Sequence, residues 1–313
     1  MATSKKLGGL PYKKDKRDLK LGSYQTPVEV PTEFKQDFNV LERLYQAHWP
    51  ACGSHAGGIF KMIQEYLQTG KAEKLSPNHL WIEIKKIDGY KLEDGTDMRS
   101  IFKTLQDIGL CSYKLLPNDY SLDLEAYSNP RRVSTKMSAD ANRNKIKAYA
   151  FSNIDLSSIK QAIYNNKAVL LLIYCDDGWF GTNTPTFTKK KYGHFVVGVG
   201  YDKNYIYVID STEKDLKKSD KRIPIKKLDF IRQLGTAIDL DTDFIFVNTL
   251  RRGDENEDVK QLQIRLKMDK EDQIGIFGPK TFLAVKEYQK RNGIPATGLV
   301  AELTRAALNQ GRN

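Results

Sequence analysis

The sequence predicts an α+β fold with two lobes, followed by a small domain of three helices. Three observations lead there. Apolar residues recur at helical spacing through the first half of the chain. Short apolar runs of strand length take over from about residue 168, and near residue 250 the pattern changes to three short amphipathic segments punctuated by glycine. The length of 313 residues suits one large domain plus a small one. The formal net charge of +11 favours anionic surroundings: nucleic acid, anionic lipid or an anionic wall polymer. Three cysteines in such a chain are not a disulfide framework, and no Cys-x-x-Cys metal spacing is present. No apolar run is long enough to span a membrane. The basic N-terminus lacks an apolar h-region, so no secretory signal is expected.

In chain order, residues 1–30 are Lys-rich, carry Pro11 and Pro27, and read as a basic extended arm. Ala56, Ile59, Phe60, Ile63, Tyr66 and Leu67 mark a helix over 52–69, with Gly70 as its stop. Ser76-Pro77 opens a helix over 77–87, and Thr96 or Asp97 caps another over 97–108. Residues 113–150 read as irregular, and 159–164 as a short helix. Residues 168–174, 195–201 and 205–209 read as strands, the last two joined by the turn Asp202-Lys203-Asn204. Residues 244–247 read as a further strand, and the Lys-rich stretch 213–222 as a surface loop. In the last segment Val259, Leu262 and Leu266 form one helix face; Phe282, Val285 and Tyr288 a second; Leu303, Ala306, Ala307 and Leu308 a third. The expected division is an arm (1–30), a main domain (31–249) and a helical domain (250–313).

Cys52 stands where a loop runs into the first helix. The positive end of the helix dipole favours the thiolate, the reactive form. Six residues upstream, Gln46 can offer an amide N–H to a developing oxyanion. A cysteine nucleophile needs a base, and the base needs an orienting group. His194 begins a strand and Asp210 ends the next one, so an antiparallel pair can bring them to one sheet end. Cys52 and His194 are 142 residues apart, within the ~130–150 of papain-like enzymes. No other histidine has such a setting; Cys111 and Cys175 read as core.

At these residues the chain from about 31 to 247 resembles the papain-like C1 cysteine peptidases in their bacterial and phage form. The matching strings are YQAHWPACGSHA, LSPNHLWIEIKK, EDGTDMRSIFKTLQDIGLC, YGHFVVGVGYD and YIYVIDST. The resemblance implies a two-lobed papain-like fold. It implies Cys52 as nucleophile, His194 as base and later acid, Gln46 as oxyanion donor and Asp210 as the group that orients the imidazole. It also puts Gly95, in the turn Asp94-Gly95-Thr96, beside the cleft where the family binds substrate backbone. LRRGDENEDVKQLQIRL with GIFGPKTFLAVKEYQKRNGIPATGLV resembles a type-1 peptidoglycan-binding domain.

Departures from the family pattern are Ala47 for the usual Gly, Pro50-Ala51 for Gly-Ser, Asp210 for Asn, and Thr212 where a Trp often follows. A second register matches Cys52-Gly53-Ser54 to the triplet before the nucleophile. It puts His55 at that position and gives a silent enzyme, but leaves Gln46 nine residues away instead of six. The expectation is a cysteine peptidase needing no metal or organic cofactor. It would be made in the cytoplasm and act at the cell wall or travel in a virion, as in phage lysis or entry. Its partners would be a peptide or protein substrate and peptidoglycan, with no membrane span and no nucleic acid. The alternatives are a protease of intracellular or virion proteins that the last domain merely docks, and a silent binding protein.

Overall fold

The computed structural model describes residues 7–15, 18–23, 29–238, 246 and 248–309. The chain separates into two compact units. Among the described residues the first contains 7–12 and 29–237, and the second contains 13–15, 18–23 and the C-terminal segment from Ile238. The arm is therefore not one piece. Leu7 to Tyr12 joins the first unit through strand β1 (Gly9–Leu10). A short strand β2 (Phe34–Lys35) follows.

The helical lobe is built on α1 (Cys52–Thr69), whose first twelve residues are all buried. Gly70 ends it with φ 70°, a left-handed conformation that costs glycine little, and its N–H bonds the Tyr66 carbonyl. Next comes α2 (Pro77–Lys85), where Ser76 accepts the His79 N–H at 3.1 Å and Pro77 takes the first helical position. Strand β3 (Thr96–Asp97) leads into α3 (Met98–Asp107), and Asp97 rather than Thr96 is the cap, accepting Ser100 N–H at 3.0 Å. The stretch expected to be irregular holds two capped helices, α4 (Leu124–Tyr127) and α5 (Thr135–Ala141), then strand β4 (Ala148–Ser152). Helix α6 (Leu156–Asn166) is longer at both ends than its apolar pattern, because Asp155 caps it and Lys167 stops it at φ 65°.

The second lobe is a seven-stranded sheet. Its strands include β5 (Val169–Cys175), β6 (Tyr192–Tyr201), β7 (Tyr205–Ile209), β8 (Asp220–Pro224) and β9 (Ile231–Ile238), in the order β4-β9-β5-β6-β7-β8, with β2 also pairing β6. β5 and β6 pair antiparallel, Ile173 opposite His194; β6 and β7 pair antiparallel, Val197 opposite Ile209. In the turn between them Asp202 accepts the N–H groups of Asn204 and Tyr205 at 2.6 and 2.8 Å. Both central strands are buried on both faces. α1 packs against β6, so one core runs from Phe60 and Ile63 through Leu172 and Phe195. The stretch 213–222 is not all surface loop: Lys221 lies in β8 and is 1% exposed. The strand expected at 244–247 lies outside the described residues, Phe246 apart.

The second unit carries helices Glu257–Arg265, Pro279–Arg291 and Glu302–Asn309. One hydrogen-bond arrangement occurs twice in it. Gln263 Nε2 donates to Ile276 O and Thr281 Oγ1 and its Oε1 accepts Gly275 N–H, all at 2.9 Å. Gln289 Nε2 donates to Leu299 O and Thr304 Oγ1 and its Oε1 accepts Gly298 N–H, at 2.8–2.9 Å. The strings GIFGPKT and GLVAELT thus do the same work, each locking a turn to the helix before it. The third expected face needs correction: Leu303 is 64% exposed and Ala306 points outward, while Thr304, Ala307 and Leu308 face inward. The pairing of Thr304 with Gln289 sets that rotation.

Candidate active site

Cys52 is the first residue of α1, and Ala51 before it has no capping side chain, so the helix N–H groups there are open to an anion at the thiol. The preceding loop is held firmly. Trp49 stacks on Tyr127 with centroids 3.8 Å apart, within a buried cluster that includes Ala51 and Trp81. His55, one turn on, donates from Nδ1 to Ala51 O at 2.8 Å and accepts at Nε2 from Asn118 at 3.0 Å. Burial pulls the His55 pKa down to about 4, with the bonds to the Ala51 and Tyr45 backbone opposing. His55 is a neutral strut for this loop.

His194, three residues into β6, and Asp210, just past the end of β7, meet at one sheet end as the antiparallel pairing requires. His194 Nε2 donates to Asp210 Oδ1 at 2.6 Å, and both side chains are fully buried. The other ring nitrogen, Nδ1, has no hydrogen bond of ordinary length and angle among the described residues, and the Cys52 thiol is the further polar group acting on the ring. Burial alone would lower the His194 pKa, but the Asp210 charge and hydrogen bond, aided by Cys52, push it up to about 9. Burial alone would raise Asp210; His194 first, then Lys221 and Thr212, hold it below the usual carboxylate range.

Gln46 is buried and tied to the same corner. Its Oε1 accepts Ser211 Oγ–H at 2.7 Å, its backbone N–H bonds Ser211 O at 2.9 Å, and its Nε2 donates to Trp49 O at 3.1 Å. The residue after Asp210 thus anchors the amide named as oxyanion donor. Ala47 adopts φ 54°. That left-handed backbone explains why glycine suits this position and why alanine there is strained.

Gly95 has φ 83° and forms one wall of a narrow slot, whose other wall is Gly193, next to His194. The slot is filled by the chain's own N-terminal segment. β1 pairs parallel with β3, Gly9 opposite Thr96, and Thr96 N–H bonds Gly8 O at 2.9 Å. A Cβ on Gly8 would meet Gly95 Cα at 2.7 Å, and one on Gly9 would meet Leu172 Cδ1 at 2.7 Å and the Gly193 carbonyl carbon at 2.8 Å. Tyr12 anchors the far end, stacked on Phe151 at 4.2 Å and bonded through its N–H to Gln233 at 3.3 Å.

Two residues beside the acid escaped the sequence reading. Trp179 donates Nε1–H to Asp210 Oδ2 at 3.1 Å and sets its ring edge-to-face on His194 at 5.6 Å. Lys221 Nζ stands 3.6 Å from Asp210 Oδ2. Cys111 and Cys175 are buried free thiols, as the core reading expects. Burial pushes Cys111 up to about 12 and, helped by the Asp210 charge, raises Cys175 further. His79 is buried and His48 exposed. Among the described residues no group of three or more His, Cys, Asp or Glu is arranged to hold a metal, and no helix is long and apolar enough to cross a membrane.

Residues 117–232 match the peptidase C39-like family, and residues 255–308 match a peptidoglycan binding domain family. No curated protein sequence matches the chain. Among solved structures it is similar to xylellain, a cysteine protease from Xylella fastidiosa, with TM-score 0.65 and 17% identity over 76% of this chain and 98% of that one. It is also similar to digestive procathepsin L 3 of Tenebrio molitor larval midgut, with TM-score 0.58 and 18% identity over 71% and 74%. The protease and lectin-like domains of Cwp84, a surface layer associated protein of Clostridium difficile, give TM-score 0.56 and 16% identity over 77% and 58%. The chain has a papain-like α+β cysteine protease fold followed by a helical peptidoglycan-binding domain.

Proposed function

We propose that this protein is a cysteine peptidase of the C1 type that works at the bacterial cell wall. The observation that carries the reading is the fully buried His194–Asp210 pair at 2.6 Å beside a cysteine at the start of a helix. In the proposed reaction His194 takes the Cys52 proton, and the thiolate attacks a peptide carbonyl. The Gln46 amide and the Cys52 backbone N–H receive the oxyanion. As the tetrahedral adduct collapses, the C–N bond breaks and His194 gives its proton to the leaving amine. Water, deprotonated by His194, then hydrolyses the thioester and frees the thiol. Asp210 orients the ring and supports the imidazolium. Gly95 borders the slot in which substrate backbone would lie. Residues 7–12 fill that slot, so turnover requires them to withdraw.

The substrate is a peptide cross-link of peptidoglycan or a protein of the envelope, and a role in phage lysis or entry fits the pairing of peptidase and wall module. Incubation with purified sacculi and with casein tests this. New amino groups released from sacculi support wall hydrolysis. Cleavage of casein alone favours a protein-processing enzyme that the last domain docks, and cleavage of neither by a folded chain lacking residues 1–12 favours a silent fold.

A further inference from the structure

A carboxylate in the place of an amide brings a difficulty. In the reactive form Cys52 is an anion and His194 a cation; Asp210 adds a second anion to a site closed to water. An uncompensated buried charge is costly and opposes formation of the thiolate. The compensating cation comes from β8. The side chain of Lys221 is fully buried, its Nζ donates to Trp179 O at 3.0 Å and Thr182 O at 2.7 Å, and it stands 3.6 Å from Asp210 Oδ2. The remaining sides of the carboxylate are taken by Trp179 Nε1, the Thr212 hydroxyl and the Thr212 N–H.

We propose that Lys221 is a positioning residue of the active site, whose buried ammonium holds Asp210 ionised and returns the Cys52–His194–Asp210–Lys221 set to zero net charge when the thiolate–imidazolium pair forms. This rests on the peptidase reading, in which those three groups act together. It explains how this chain uses an acid where the resembling family uses a neutral amide: the site carries a lysine that restores the same net charge. The charged and titratable groups of the described residues that act most on the pair enter the balance. Cys52 acts on the ring from α1 and His194 lies on β6. Lys221 lies on β8. Cys175 ends β5 and is a neutral thiol, its pKa raised first by burial and then by the charges of Asp210, Cys52, Asp176 and Asp177. Trp179 is held on both sides, its indole by Asp210 and its carbonyl by Lys221, so the shield over the His194–Asp210 bond depends on the same charge pair.

The test is the titration of His194 in the full chain, followed by carbon-13 NMR of selectively labelled histidine; the chain has four histidines. The wild-type midpoint, raised above the ordinary histidine value by Asp210, is the reference. Lys221→Met leaves the site one negative charge in excess, so the imidazolium fraction should rise. Asp210→Asn leaves it one positive charge in excess, so the fraction should fall. The double variant removes both charges and should return toward the wild type, with a smaller loss of Tm than Asp210→Asn alone. If Lys221 only pins the Trp179 and Thr182 carbonyls, Lys221→Met leaves the His194 titration in place and the double variant is no closer to wild type than the singles; that result overturns the proposal. A Lys221→Met chain that fails to fold while the double variant folds supports it by another route. A double variant that fails to fold while Asp210→Asn folds overturns it, since the ammonium is then needed for the carbonyls alone. None of these readouts uses turnover. Failure of the peptidase reading shows instead as no hydrolysis by the folded chain lacking residues 1–12, or as unchanged hydrolysis in Cys52→Ala.

Discussion

His194 Nε2 and Asp210 Oδ1 lie 2.6 Å apart in a site from which both side chains are excluded from water. Two strands that pair antiparallel bring together these residues, sixteen apart in sequence.

Stability should fall on both sides of about pH 6.5, the ordinary histidine value, with His55 on the acid side and His194 on the alkaline side as the main histidine contributors. His55 has its folded pKa pulled down to about 4. Between about 6.5 and 4 the unfolded chain binds a proton there that the folded chain refuses, so stability falls as pH falls, by about 3 kcal/mol in all. His194 has its folded pKa pushed up to about 9. Its contribution is complete below 6.5 and is lost as pH rises through 9, because the folded chain then gives up the proton that Asp210 holds. Urea unfolding midpoints across pH 4–10 check this. A His55→Gln variant should make the acid side shallower, with the part due to His79, also lowered by burial, remaining, and should leave the alkaline side in place.

Ala47→Gly should stabilise the protein. Alanine at φ 54° pays for a left-handed backbone that glycine adopts freely. After the extra entropy of an unfolded glycine is subtracted, the expected gain is about 0.5–1 kcal/mol, read as a rise in urea midpoint with an unchanged slope.

Removing residues 1–12 should expose the thiol. In the full chain Cys52 is 0% exposed and the slot beside it holds Gly8 and Gly9. Reaction of Cys52 with a disulfide reagent such as DTNB should be at least tenfold faster, about 1.4 kcal/mol off the barrier, in the shortened chain. A full-length Gly9→Leu variant, whose side chain collides with Leu172 and Gly193, should show the same direction. Equal rates in all three proteins would mean that the segment does not guard the cleft.

Deleting residues 250–313 should leave turnover of a small soluble peptide nearly unchanged and weaken sedimentation with sacculi. Undiminished sedimentation of the shortened chain would remove the targeting role of the last domain.

Much of this architecture is legible in the sequence because its signals are local. The Cys52 helix shows a helical apolar stripe and a glycine stop, and the β6–β7 hairpin shows two apolar runs around Asp202-Lys203-Asn204. Cys52, His194 and Asp210 each sit at or near the edge of such an element, and Gln46 lies in the loop six residues before the Cys52 helix, so their settings could be read one at a time. What stayed hidden depends on contacts far apart in sequence. Trp179 reaches Asp210 across thirty-one residues and belongs to no periodic segment. Lys221 sits in a Lys-rich run that looks solvated, yet β8 turns it inward, and its short strand has no apolar alternation to betray that. Gly8 and Gly9 look like linker residues until Gly95 and Gly193 close on them. Leu303 is the reverse case: hydrophobicity suggests burial, but the bond between Thr304 and Gln289 rotates the helix the other way.

The most direct measurement of the central claim is mass spectrometry of the protein after treatment with an irreversible peptidyl epoxide that reacts with a thiolate–imidazolium pair. The full chain, the chain lacking residues 1–12, and its His194→Ala variant should be compared. The expected result is one adduct, mapped to Cys52, formed faster without the N-terminal segment and lost when His194 is removed. No adduct on the shortened chain, or an adduct on Cys111 or Cys175 that survives His194→Ala, would contradict the assignment of Cys52 as the nucleophile.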